Sequence, residues 1–434
     1  MDRAQRFGKT IFAVFAAVSL LGYSAGNFYY AGEAVLEEAE KIHLENADDD
    51  IAAVNNAAVE NMLWRFPLIE CYGSIQLAQS KREINSFDLV KDRAGYLHSG
   101  NFWVGFHDES KELAVRVRRL YDMLKTRGTQ VCFIMSPMKV AEEEVQYAGI
   151  PYNDFTGQAD EMLRWLRYYG VPYLDLRASM VESGLSYEET FYKTDHHWTP
   201  RAAFEGFCEI VEWLNKSFNT NLDSEGYYCS LENYKVHTYK DTMLGSQGRR
   251  TGVCYAEGME DFTVLIPKYE GEFNWIRGDL TKVENLKALD LLETLEDADS
   301  VSQKEGLTEM KGTDGLFTET LLELPPEKLE GEDIYKSIAE EAYMEGVNYY
   351  DFIRNNNTED GPSFLFLRDS YASPVISFFA QCVPQTEAVW TGQCDSETMK
   401  TLLLRKNYDF VVIMLYPENL QFDFFPFCES EDFQ

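Results

Sequence analysis

The 434-residue sequence is poor in histidine, with six, and poor in cations, with 39 Lys and Arg against 73 Asp and Glu for a formal charge of −34. So few cations argue against nucleic acid as a partner, because neutralising phosphates needs clustered Lys and Arg. The eight cysteines form no CxxC pair, so neither a zinc ribbon nor a thioredoxin-type redox motif is present. The histidines form no HxH or HxxxH pair. A metal centre would therefore need ligands gathered from distant parts of the chain, and no metal or other cofactor is expected. No internal repeat occurs. What the chain does have is 45% hydrophobic and 14% aromatic residues, enough for a globular fold with one large core or two ordinary ones.

Long apolar runs are also scarce, and the one that stands out is at the start. Arg3, Arg6 and Lys9 precede IFAVFAAVSLLGY, from Ile11 to Tyr23. This pattern fits a secretory signal with small residues after it, or, extended through Phe28-Tyr29-Tyr30, a membrane anchor with an aromatic belt. Basic residues on one side only predict that the rest of the chain is exported. Residues 1–30 are thus read as a signal anchor or signal peptide, 31–65 as a polar helical stalk, and 66–434 as the main domain. Cys132, in an apolar strand, and Cys208, on a helix's apolar face, are expected in the core. A Cys382–Cys394 disulfide is conceivable, but sequence does not establish pairing.

From about residue 109, amphipathic helices alternate with short continuous apolar strands: ESKELAVRVRRLYDMLKTRG, TQVCFIMSP, GQADEMLRWLRYYG and VPYLDLR. The pattern returns near the end as SFLFLRDS, SPVISFFAQ, TEAVW, DSETMKTLLLRKN and YDFVVIML. Strands apolar on both faces, separated by helices, predict an α/β fold with a mostly parallel sheet covered on both sides. Residues of about 220–358 break the alternation and read as a long insertion. Its acidic part, Asp279 to Glu345, is expected to be a solvated or mobile excursion.

Two segments fall beyond the carboxyl ends of predicted strands, where open α/β sheets bind ligands. In YKTDHHWTPRAAF, Thr199-Pro200 is a helix start, so Thr194 to Trp198 form the loop before it. If that loop is extended, Asp195 and His197 share a face and His196 points away. An aspartate bonded to one ring nitrogen leaves the other free as a general base. In FLFLRDSYASP, Ser370 sits where a buried strand meets a helix, with helix amides available to an oxyanion and Asp369 placed to cap the turn. Each segment alone also reads as packing or capping. Together they read as base and nucleophile. A metal-dependent hydrolase using His196 and His197 is a competing reading.

TDHHWT followed far downstream by FLRDSYASP resembles the DHHW family of exported bacterial proteins, related to the alginate O-acetylation proteins of the SGNH-hydrolase superfamily. VKDRAGYL at 90–97, SPMK at 136–139, LGSQGRRTG at 244–252 and the closing VVIMLYPENL extend the resemblance. It implies a three-layer αβα sandwich with a catalytic triad: Ser370 as nucleophile, His197 as base and Asp195 as its orienting partner. It also implies an O-acetyltransferase or acetylesterase acting on a cell-surface or secreted polysaccharide, alongside a membrane-bound O-acyltransferase. The enzyme would sit at the cell membrane with its domain outside the cytoplasm, or be secreted if the leader is cleaved. Arg-Asp-Ser replaces the family's Gly-Asp-Ser, so Arg368 is a candidate to bind an anionic sugar. Arg249, Arg250 and Trp198 are candidates to line the cleft under a lid formed by the insertion. Further oxyanion donors are sought in residues 245–250. A non-catalytic glycan-binding or scaffold protein is the alternative.

Overall fold

The computed structural model describes residues 3–42, 47–100, 107–280, 283, 286–337, 339–346 and 348–429. His43 and part of the expected stalk lie outside them. Contacts divide the chain into two units, residues 1–78 and 79–434.

The first unit is three helices, Arg3–Ala39, Ala47–Glu60 and Arg65–Ala78. The first is one continuous helix that carries exposed Phe12, Phe15, Leu20 and Leu21. At 1.5 Å per residue, its apolar part Lys9–Ala39 exceeds the roughly 30 Å hydrocarbon core of a bilayer. Its length and composition suit a membrane span, and a signal sequence would share both.

The second unit is built on an eight-stranded sheet. In chain order its strands are β1 (Gln130–Met135), β2 (Tyr173–Asp175), β3 (Glu272–Gly278), β4 (Lys311–Leu316), β5 (Tyr350–Asn355), β6 (Ser363–Arg368), β7 (Gln385–Trp390) and β8 (Phe410–Leu415). They lie in the order β2-β1-β8-β6-β7-β5-β3-β4. The first five are parallel, with Phe366 of β6 opposite Ala388 on one side and Val412 on the other. The last three are antiparallel.

Alternation along the strands feeds two helical layers. Cys132, Ile134, Phe364, Phe366, Val412 and Met414 point to one face, under helices α3 (Pro200–Phe218) and α4 (Ala372–Phe379). Val131, Phe133, Leu365, Leu367, Val411 and Ile413 point to the other, under α1 (His107–Lys125), α2 (Thr156–Tyr169) and α5 (Ser396–Arg405). This is a three-layer α/β sandwich, as expected, with a mixed sheet whose site-bearing half is parallel.

The insertion departs from expectation. Its strands β3, β4 and β5 extend the main sheet, and Leu289, Leu292, Val301, Leu307 and Met310 are buried in the core. The acidic segment is therefore no solvated excursion: most of its acids face out, but these leucines and the Glu340 side chain pack in. Cys132 is buried and Cys208 packs, half-buried, against the core.

Candidate active site

Residues 191–198 form a loop closed by a bridge between Phe191 and Trp198 and by the Thr199 amide donating to the Thr190 carbonyl at 2.8 Å. Thr199 caps α3, its hydroxyl accepting from the Ala202 amide at 3.1 Å, and Pro200 occupies the first turn. The loop is bent, not extended. At the end of β6, Asp369 takes the Tyr371 amide at 3.0 Å on one oxygen and the Tyr416 amide at 2.8 Å on the other. These bonds fix the turn that carries Ser370 into α4.

The two segments meet. His197 Nδ1 lies 2.7 Å from Asp195 Oδ1, and His197 Nε2 lies 2.8 Å from Ser370 Oγ. Asp195 is fully buried and also accepts the amides of His197 at 2.8 Å and Ser246 at 2.7 Å. Burial opposes its ionisation, yet the His197 ring and these hydrogen bonds hold its carboxyl well below the usual range. For His197 burial disfavours the charged ring, but the Asp195 carboxylate outweighs it and raises the imidazole above 6.5. A carboxylate thus orients an imidazole whose free nitrogen faces a half-buried hydroxyl. That arrangement can move the hydroxyl proton. The Ser370 N–H makes no hydrogen bond to the described residues.

His196 does not point away. Because the loop bends, its ring lies 3.9 Å from that of His197, and its Nδ1 is 3.3 Å from Ser246 Oγ and 3.6 Å from Asp195 Oδ1. Burial and the His197 charge push it down to about 3, so it is neutral. Asp195, His196 and His197 present ligand atoms within 4.8 Å of one another, closer than adjacent histidines were expected to come. His197 nevertheless spends both ring nitrogens on Asp195 and Ser370.

The four residues expected to contact substrate all have partners within the protein. Arg368 is wholly buried and ion-paired with Asp351 at 2.9 Å, because β6 turns its side chain under the end of the insertion. Trp198 is 2% exposed, donates its indole N–H to the Tyr371 carbonyl at 3.0 Å and packs against Gly206. Arg249 stands near the site but is held 2.6 Å from Glu340 and donates to the carbonyls of Leu244 and Ser337. Arg250 pairs with Asp88. The amides of Gly245, Ser246 and Gly248 are also spent inside the protein. Gly245 donates to Thr194 Oγ1, Ser246 to Asp195, and Gly248 to the Thr194 carbonyl.

Sequence reasoning missed the supports of the Asp195 loop. Lys139, buried, donates from Nζ to the carbonyls of Tyr192 and Asp195 and to Gln247 Oε1. Burial brings it down to about 8 despite the nearby Asp195, Glu260 and Asp92. Glu260 accepts the amides of Lys193 at 2.6 Å and Thr194 at 2.7 Å. Glu340, from the insertion, is pushed up to about 8 by burial and the Asp195 charge, which the Arg249 guanidinium only partly offsets. The one sequence signal was Lys139 itself, a lone cation just past a buried strand.

Residues 106–244 match the family model described as SGNH hydrolase-like domain, acetyltransferase AlgX. That span includes Asp195 and His197 but ends before Ser370. No curated protein matches the sequence. Among solved structures, Bacillus cereus PatB1 is similar at 17% identity over 78% of this chain and 99% of that one, with a TM-score of 0.56. A second PatB1 structure, with a sulfonyl adduct, is similar at 17% identity over 78% and 97%, with a TM-score of 0.54. A DHHW family protein from Eubacterium siraeum is 13% identical over 77% and 94%, with a TM-score of 0.49. The likeness to PatB1 is one of fold. The match over residues 106–244 agrees with the resemblance to alginate O-acetylation proteins read from TDHHWT and its companions.

Proposed function

We propose that this protein is an extracytoplasmic serine acyl-transfer enzyme acting on O-acetyl groups of a cell-surface or secreted polysaccharide. The observation that carries the reading is the unbroken Asp195–His197–Ser370 hydrogen-bond chain, at 2.7 and 2.8 Å. His197 Nε2 takes the Ser370 proton as Oγ attacks an acetyl carbonyl, with the Ser370 amide at the oxyanion. The imidazolium returns that proton to the departing hydroxyl. A sugar hydroxyl or water then attacks the serine ester, giving its proton to His197, and the ester breaks to restore the Ser370 hydroxyl. The first acceptor makes a transferase and the second an esterase, and access of water decides between them. The family model, described as the SGNH hydrolase-like domain of an acetyltransferase, supports acetyl transfer.

In this reading residues 1–30 anchor the chain or export it, 31–65 form a stalk, and 66–434 carry the chemistry. A membrane-bound O-acyltransferase is the partner that would supply acetyl groups. PatB1 has been observed with a sulfonyl adduct, so a sulfonyl fluoride is a suitable probe. The expected outcome is rapid labelling of the wild type at Ser370, lost in Ser370→Ala and slowed in His197→Ala. A chain labelled no faster than Ser370→Ala would favour the glycan-binding or scaffold role.

A further inference from the structure

We infer that the acceptor used by the Ser370 site is a glycan without carboxylate, phosphate or sulfate groups, either neutral or amine-bearing. The inference rests on the acyl-transfer reading above. Holding an anionic glycan needs Arg or Lys donors free to pair with its charges. Among the described residues, the cations around the triad are Lys139, Arg249 and Arg368, and each is spent inside the protein. Arg368 is 0% exposed and donates to Asp351, to the carbonyls of Gly346 and Asn348, and to Ser373 Oγ. Lys139 has three protein acceptors and is buried. Arg249 is occupied by Glu340 and two carbonyls.

Among the described residues, one carboxylate near the triad is not spent in the same way. Glu341, next to Glu340, is half-buried, and its charge acts on His197 and Asp195. Across the Asp195 loop, a cleft of about 620 Å³ is lined by Glu188, Glu189, Glu257, Glu260 and Asp261, of which Glu257 pairs with Lys91, Asp261 pairs with Lys240, and Glu189 and Glu260 accept protein donors. Of its two cations, Arg201 pairs with Glu205, and Lys193 lies over the Tyr96 ring on the far side of the loop from the triad. Over the whole chain the formal charge is −34. A polyuronate would meet repulsion at long range and, beside the triad, find Lys139, Arg249 and Arg368 already engaged. A neutral polyol meets neither obstacle, and carboxylates accept its hydroxyls or pair with its amines.

The test is binding of three tetrasaccharides, of glucosamine, N-acetylglucosamine and mannuronate, to full-length Ser370→Ala in uncharged detergent micelles. Titration calorimetry at low and high salt is the readout. The glucosamine and N-acetylglucosamine tetramers should bind at least ~10-fold more tightly than the mannuronate tetramer at low salt. The glucosamine advantage should shrink as salt screens it. Mannuronate binding as tightly as either would overturn the inference, as would no binding by the other two. Sulfonyl labelling of Ser370 is read separately on the wild type. A failed glycan preference and a failed serine mechanism therefore give different results.

Discussion

Arg368, buried at the end of β6, offers a prediction with a magnitude. Its guanidinium and the Asp351 carboxylate are both 0% exposed and 2.9 Å apart. Replacing it in Arg368→Met leaves Asp351 buried with only the Trp275 indole at 3.0 Å and the Asn348 amide at 3.1 Å as donors. Removing one partner of such a pair typically costs about 3–5 kcal/mol, against a total stability of roughly 5–15. Burial already raises the Asp351 carboxyl above 3.8, with Arg368 the chief opposing charge. Losing Arg368 raises it further. A raised folded-state value means that stability is fully present below 3.8 and is lost as pH rises through the new value. The deficit should therefore be small near pH 4 and largest at neutral pH, as measured by urea unfolding followed by circular dichroism. The double variant Arg368→Met with Asp351→Asn should recover part of it. A deficit below about 1 kcal/mol at neutral pH, or one independent of pH, would refute the reasoning.

Three further outcomes follow from the same geometry. Neutral His197 is the base, so kcat/KM on an acetyl ester should rise with pH along a limb above 6.5, and Asp195→Asn should lower that limb and cut kcat by roughly 10⁴. The raised value also makes protonated His197 stabilising below 6.5, a contribution lost as pH climbs through the folded value. Lys139→Met strips the donor from the Tyr192 and Asp195 carbonyls and from Gln247, and steady-state kinetics should show kcat falling about 10- to 100-fold with little change in KM. In Gly245→Ala the new Cβ would clash with Asp195 Cβ and lie 2.6 Å from the Thr194 carbonyl oxygen, so Asp195 must move, and sulfonyl labelling of Ser370 should slow about 100-fold.

The legible parts of the sequence were those whose chemistry is local. Thr199-Pro200 starts a helix whatever lies around it, and runs such as FVVIML are strands because they are apolar on both faces. Placing Asp195, His197 and Ser370 at one sheet edge needed only those starts and stops. The direction of Arg368 was not legible, because it depends on Asp351, 17 residues earlier and on a strand within the insertion. That strand and its neighbour EFNWIRG mix polar and apolar residues, so they did not announce that they join the main sheet. Trp198 looked like a cleft residue because an aromatic beside a histidine reads the same way buried or exposed. The bend that turns His196 back beside His197 arises from closure of the 191–198 loop, a contact between residues seven apart.

The central claim is that acyl groups pass through Ser370. Its most direct measurement is to mix the full-length protein with a chromogenic acetyl ester, quench in acid within the first turnover and map the modified peptide by mass. The account predicts one added acetyl group on the peptide carrying Ser370 in the wild type. It should accumulate more slowly in His197→Ala, vanish in Ser370→Ala, and be discharged when a soluble oligosaccharide acceptor is added. Ester turnover equal in all three proteins, with no acetyl group on Ser370, would contradict it.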